Sequence, residues 1–266
     1  MDKVRLIIHG AAGRMGRRLV ALGSDDASLQ LVAAVDRPEH PDLGKDAGAL
    51  AGVGEIGVAL TGAVETEADA VIDFSLPDSA VGICRTCVAR HTPLVLATTG
   101  LTEAQRSEVE AAAQQIPLVW APNMSLAVNL TMKLATIAAE TLKDAPGGAD
   151  VEILERHHRF KEDSPSGTAL KFGELIAGAM GQTKHQHGRE GQIGPRPHDE
   201  IGYHAIRVGD NPGEHTIVFG LLGEMIELTV RASSRDCYAL GALQAAKFVA
   251  NKGPGLYSMY DVLGLD

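Results

Sequence analysis

Five of the six residues in Arg156-His157-His158-Arg159-Phe160-Lys161 are basic or titratable. An imidazole exchanges a proton near neutral pH and an ammonium is a fixed positive partner, so the run can hold an anion and give it a proton. Glu155, Glu162 and Asp163 flank it, and with neutral histidines the formal charge from 155 to 163 sums to zero, which also fits a balanced surface loop. No metal is expected here, because adjacent histidines point apart and no further His or Cys nearby completes a ligand set. Ser164-Pro165-Ser166-Gly167-Thr168 follows at once and leads into a helix-like stretch. Amides of Gly167 and Thr168, with hydroxyls of Ser166 and Thr168, suit a carboxylate as well as they suit a helix cap. A proton-donating His, a charged Lys and an amide nest a few residues apart make one compact site for a small polyanion.

A second chemical signal lies near the start. Gly10-Ala11-Ala12-Gly13-Arg14-Met15-Gly16 stands between a β-type run and a helix-like one. A turn without bulky side chains lets a pyrophosphate approach the backbone, and the next helix offers amide donors and the positive end of its dipole. The spacing is Gly-x-x-Gly-x-x-Gly, with Ala12 where the dinucleotide fingerprint carries its second glycine. Asp36 follows Gly16 by twenty residues, at the end of the second apolar run. A carboxylate there can accept from both ribose hydroxyls of an adenosine, while Arg37 beside it can stack on adenine or neutralise a 2′-phosphate. Both nicotinamide cofactors, NADH and NADPH, therefore stay open. Cys84 and Cys87 have redox spacing but fall inside a predicted helix, away from its N-terminus, and are read as packing, as is Cys237.

Elements must position these groups. Val4 to Ile8, Leu29 to Val35, Ala70 to Phe74, Leu94 to Ala97 and Leu118 to Trp120 read as strands, alternating with helical patterns after Gly13, Pro77 and Thr102. Residues 38–57 read as loop. Such alternation predicts an α/β, Rossmann-type, doubly wound parallel sheet whose ligands sit at the carboxyl ends of the strands. A long helix over residues 126–142 then leads to a strand ending at Arg156. Strands near 201–207, 215–220 and 225–232 follow in close succession and suggest antiparallel pairing in a second α+β domain with a mixed open sheet. Residues 181–200, rich in Gly, Pro, His and Gln, read as a loop, and 236–250 as a helix. The expected division is a dinucleotide-binding domain of residues 1–126 and 236–266, and a substrate-binding and oligomerisation domain of residues 127–235.

The 266 residues carry 24 Lys plus Arg against 34 Asp plus Glu, a formal net charge of −10, which argues against nucleic acid and anionic membrane surfaces as partners. No apolar run approaches the length of a membrane span, the charged start is unlike a secretory signal, and three cysteines do not make a disulfide framework. A cytoplasmic enzyme is expected.

Longer motifs now add up. Gly13-Arg14-Met15-Gly16, Asp73-Phe74-Ser75, Thr98-Thr99-Gly100, Ala121-Pro122-Asn123-Met124-Ser125, Glu155 to Lys161, Pro165-Ser166-Gly167-Thr168-Ala169 and Ala232-Ser233-Ser234-Arg235 resemble the 4-hydroxy-tetrahydrodipicolinate reductases along essentially the whole chain. The resemblance implies reduction of a cyclic dicarboxylate by NADH or NADPH in lysine and diaminopimelate synthesis, in a homotetramer joined through the second domain's strands. It implies His157 as the acid/base residue, Lys161 as the proton donor, and His158, Ser166, Gly167 and Thr168 as substrate ligands. It places Gly10, Ala11, Ala12, Gly13, Arg14, Met15, Asp36, Arg37, Ala97, Thr98, Thr99, Ala121, Pro122, Asn123 and Met124 along the cofactor. Ala12, Phe160, Pro122 and Met124 depart from the family's commoner residues, and none removes a reacting group. Another two-domain nicotinamide dehydrogenase would explain the glycine turn but leaves the basic loop without a dianion; a nucleotide-sensing module is the non-enzymatic alternative.

Overall fold

The computed structural model describes residues 2–265. In chain order the elements are β1 (Val4–His9), α1 (Arg14–Asp25), β2 (Leu29–Val35), α2 (Ala47–Ala51), β3 (Leu60–Thr61), β4 (Ala70–Asp73), α3 (Pro77–Arg90), β5 (Leu94–Leu96), α4 (Glu103–Ala113), β6 (Pro117–Trp120), α5 (Leu126–Leu142), β7 (Asp150–His157), α6 (Gly167–Met180), β8 (Lys184–His187), β9 (Glu200–Arg207), β10 (Gly213–Leu221), β11 (Glu224–Ala232), α7 (Asp236–Val249), β12 (Gly255–Tyr257) and α8 (Met259–Leu263). They form two compact units, one running to Leu126 and resuming at Asp236, the other Ala127–Arg235. No helix among the described residues is long and apolar enough to cross a membrane.

The first unit is built on a seven-stranded sheet in the order β12-β6-β5-β4-β1-β2-β3, with every pairing parallel. Leu6, Ile7 and Ile8 are successive and all buried, as a strand covered on both faces requires. One face packs Leu6, Ile8, Leu19, Val20, Ile72 and Ala242 together; the other packs Ile7, Val71, Ile83, Cys84, Cys87 and Val109. Burial pushes the Cys84 thiol up to about 11 and Cys87 further, so both are inert packing groups. Cys237 is only half-buried. Local signals place the helices: Pro77 opens α3, and Thr102 with Gln105 forms a reciprocal capping box on α4. Residues 38–57 are more ordered than the sequence reading has it. Asp46 accepts from the amides of Ala49, Ile56, Gly57 and Val58, and so caps α2 and closes the turn behind it.

The second unit has a five-stranded mixed sheet in the order β11-β10-β7-β9-β8. β10 is antiparallel to both β11 and β7, whereas β9 runs parallel to β7 and to β8. The expected run of antiparallel neighbours is therefore corrected: β7 separates β9 from β10. Val151, Ile153, Glu155 and His157 alternate onto the buried face of β7. α6 covers that face with Ala169, Phe172, Gly173 and Ile176. Gly173 is required there, since a Cβ would stand 1.7 Å from the Tyr203 hydroxyl. The stretch 181–200 is likewise corrected: it contributes β8, and its arginines anchor it. Arg189 donates to Glu152 and Glu200, and Arg196 to Asp150 and Glu152, at 2.5 to 2.9 Å.

Candidate active site

In the first unit the predicted residues gather at the carboxyl ends of the parallel strands. The amides of Gly10 and Ala11 both donate to the Val35 carbonyl, which draws the glycine turn to the end of β2. Gly10 adopts φ +76°, and a Cβ on it would meet the Phe74 carbonyl at 2.7 Å. Gly16 is tighter still, with a Cβ position 2.1 Å from the Gly10 carbonyl oxygen, so α1 packs flush on the turn. Gly13 caps α1 with no side-chain hydrogen bond, and the first turn has no acidic residue. This leaves a helix N-terminus suited to a phosphate. Asp36 is half-buried and accepts from the amides of Ala12 (3.0 Å) and Arg37 (2.9 Å), which aims its carboxylate at the rim of the same turn.

Beside the turn, Asp73 is fully buried. It takes hydrogen bonds from the hydroxyls of Ser75 and Thr98, both at 2.6 Å, and contacts His9 Nδ1 at 2.5 Å. One carboxylate thereby ties together the ends of β1, β4 and β5. Thr98 also accepts from the Ser75 amide at 3.0 Å, and the Ala97 amide donates to the Asp73 carbonyl. Thr99 and Pro122 are exposed and Asn123 half-buried on the next loops.

In the second unit His157 ends β7 and is 7% exposed. Its Nδ1 is hydrogen-bonded to Glu155, two residues earlier on the same buried face. Arg207 of β9 reaches Glu155 with two guanidinium nitrogens at 2.7 and 3.0 Å, and the Ser166 amide donates to it at 3.1 Å. His215 of β10 stands edge-on to His157, ring centres 5.1 Å apart, with Nε2 3.1 Å from the Ser166 hydroxyl. His158 has its pKa pushed down, first by burial and then by Arg235, His157, Lys161 and Arg207 around it. Positive charge from Arg235, Lys161 and Arg207 therefore acts on His158, with Asp163 and Glu155 as the carboxylate partners of the last two.

Two profiles of the dihydrodipicolinate reductase family, its N-terminus and its C-terminus, match residues 4–124 and 127–263. The chain belongs to the dihydrodipicolinate reductase family. A 4-hydroxy-tetrahydrodipicolinate reductase of Rhodopirellula baltica is 60% identical over 98% of this chain and 96% of its own length. One from Alkalilimnicola ehrlichii is 50% identical over 98% and 99%. Among solved structures, the dipicolinate-bound dihydrodipicolinate reductase of Paenisporosarcina sp. TG-14 superposes with a TM-score of 0.79 at 25% identity, covering 97% of this chain and 98% of that one.

Within this chain the structure bears on several sequence expectations. Met124 is buried, its side chain packed in the core with Ala239 and Ala242, so that segment presents Pro122 and Asn123 instead. Ser166 is buried too; its hydroxyl accepts from the Ala169 amide and caps α6, whose first residues are Gly167 and Thr168. Lys161 is paired with Asp163 at 2.7 Å, and that bond, with a smaller contribution from the Gly167 amide, holds the Asp163 carboxyl below its usual range. Asp163 thus engages two of the donors reserved in the sequence reading for a substrate carboxylate. Glu155, Arg207, His215 and the His9–Asp73 pair were not singled out as functional residues by sequence. Glu155 has a local signal, since alternate positions of a strand share a face; the others depend on strand pairing. Ligand atoms of Glu155, His157 and His215 lie within 4.8 Å of one another, but Glu155 is already engaged by His157, Arg207 and Ser166.

Proposed function

We propose that this protein reduces 4-hydroxy-tetrahydrodipicolinate to tetrahydrodipicolinate with NADH or NADPH in diaminopimelate and lysine synthesis, and that His157 and Lys161 manage the proton. Family membership over the full chain supports the reaction. The observation that carries the site assignment is the buried His157, hydrogen-bonded to Glu155, with His158 beside it under the charges of Arg235, Lys161 and Arg207.

The first unit's turn fits a dinucleotide: Gly10 and Gly16 have no room for a side chain, the α1 N-terminus carries no acid, and the Asp36 carboxylate is tied to the turn through the Ala12 amide. Gly10 to Met15 would cradle the pyrophosphate, Asp36 and Arg37 would meet the adenosine, and Ala97 to Thr99 with Ala121 to Asn123 would line the remainder. Asp36 favours a free 2′-hydroxyl and Arg37 tolerates a phosphate, which supports use of either cofactor. When bound, the reduced nicotinamide supplies hydride. In the second unit the Gly167 and Thr168 amides and Lys161 would orient the two carboxylates, Lys161 exchanging Asp163 for the substrate. Loss of water from the substrate leaves a conjugated imine, and the ring then takes up its proton from Lys161 with His157 as the acid/base partner.

A homotetramer and a cytoplasmic location complete this reading; three unpaired cysteines suit a reducing compartment. The test follows absorbance at 340 nm on mixing the protein with NADH or NADPH and the condensation product of aspartate semialdehyde and pyruvate. Oxidation of both cofactors is expected. His157→Ala and Lys161→Ala should each lower turnover by a factor on the order of 100 to 10,000, as for a lost general acid. Near-normal turnover in both variants would remove the assignment.

A further inference from the structure

Glu155 is an ionisable side chain only 2% exposed, and three kinds of donor converge on it. They are His157 Nδ1, two nitrogens of Arg207 and the backbone amide of Ser166. Burial alone would push its carboxyl up, but these hydrogen bonds outweigh it and hold it at about 2. A carboxylate can only accept, so the shared proton belongs to His157 Nδ1. Nε2 is then the nitrogen left for chemistry, and it faces Gly213, where a Cβ would stand 2.9 Å away.

Both oxygens of Glu155 are occupied in a way that links two parts of the site. Oε2 fixes the His157 ring, while Oε1 takes the amide of Ser166, the cap of α6, whose first residues are Gly167 and Thr168. His215 lies behind, buried, its pKa pushed down to about 4 by burial and then by the neighbouring His157. It is neutral at pH 7 and adds no competing charge. The remaining titratable and charged groups nearby are Arg207 from β9, His158, Lys161 and Asp163 from the loop after β7, and Arg235 after β11.

We propose that Glu155 is the positioning residue of this active site: it sets the tautomer and direction of His157 and, through the same carboxylate, holds the substrate-binding turn of α6 in register with that ring. The proposal rests on His157 being the acid/base group. A carboxylate behind an imidazole acts in this way in hydrolytic triads, where neutralising it leaves the ring in the wrong tautomer.

Two measurements test it on the full-length enzyme. In long-range 15N–1H NMR spectra of the wild type, neutral His157 should carry its proton on Nδ1; a neutral ring protonated on Nε2 would overturn the proposal. In kinetics, Glu155→Gln should lower kcat on the order of 100-fold or more, with the Kd for dipicolinate changed less than about tenfold, because a glutamine oxygen still accepts from Ser166. Adding Glu155→Gln to His157→Gln should slow the enzyme no further than His157→Gln alone, because the glutamate acts through the ring. Losses that multiply, or wild-type kcat in Glu155→Gln, would overturn it. If Glu155→Gln leaves Arg207 unpaired and fails to fold, Glu155→Gln with Arg207→Gln removes both charges and is read against the same criteria. Normal turnover in His157→Gln would sink the acid/base reading instead, and the NMR tautomer would still decide the Glu155 contact.

Discussion

Two buried groups in the second unit titrate far from their ordinary ranges, and their signs give the enzyme separate acid-sensitive windows. His215 has its pKa lowered from 6.5 to about 4, chiefly by burial. Between those values the unfolded chain binds a proton that the folded one refuses, so stability falls as the pH drops from 6.5 towards 4. Glu155, lowered from 4.5 to about 2, contributes stability present above pH 4.5 and lost as the pH falls towards 2. His215→Gln, which keeps a donor near Ser166, should flatten the fall of Tm between pH 6.5 and 4, worth about 3 kcal/mol, and leave the fall below pH 4.5 in place. Calorimetry across that range decides it: an unchanged slope above pH 4.5 means His215 is not the titrating group. Much of the chemistry at this scale was legible in the sequence, because His157, Lys161 and Gly167 lie within eleven residues of one another. What was not legible is the supporting layer. Arg207 and His215 are 50 and 58 residues from His157 and reach it only through the pairing of β9 and β10 on either side of β7.

At the scale of elements, the glycine turn works through close packing as much as through flexibility. A methyl on Gly16 would lie 2.1 Å from the Gly10 carbonyl oxygen and 2.6 Å from the Ala11 Cα, both backbone atoms that cannot rotate away. Gly16→Ala must therefore push α1 off β1 and shift the amides that would receive a pyrophosphate. Overpacking of this kind destabilises by about 1 to 3 kcal/mol, and the expected variant melts lower and has a raised KM for NADH and NADPH. An unchanged KM would mean that the turn does not hold the cofactor. Five of the seven strands of the parallel sheet were legible because each is a short apolar run punctuated by Gly, Pro or a cap, whereas β3 and β12, two and three residues long, leave no such run. Where the period is weak the sequence misleads. Residues 38–57 lack a long apolar stretch, yet Asp46 organises them through four amides. The polar stretch 181–200 contributes β8 and is secured by Arg189 and Arg196, whose carboxylate partners lie up to 46 residues away. Charge pairing across strands has no periodicity along the chain to betray it.

For the whole molecule, the net charge of −10 describes the averaged surface and not the surroundings of His158, where the charges of Arg235, Lys161 and Arg207 act together. On the proposed function a small dianion would be received there, while the averaged charge disfavours long polyanions. The same unit carries an open sheet face. On it, Leu154 of β7 is 37% exposed and Ile206 of β9 41% exposed, with Val218 of β10 and Met225 of β11 on the same side. Around these apolar residues lie Arg156, Glu214 and Arg231, ion-paired across the strands, and the Thr216–Thr229 hydrogen bond. An apolar centre with a paired polar rim is the composition of a subunit interface, and a sheet face contributed by each copy satisfies closed symmetry. The homotetramer we propose should be built on this face. Sedimentation equilibrium should return four times the 27.9 kDa chain mass. Leu154→Asp and Ile206→Asp in one chain place charges in the centre of the face, far from the buried side that holds His157, and should reduce the mass to that of a dimer or single chain. A double variant that still sediments as the wild type would place the interface elsewhere.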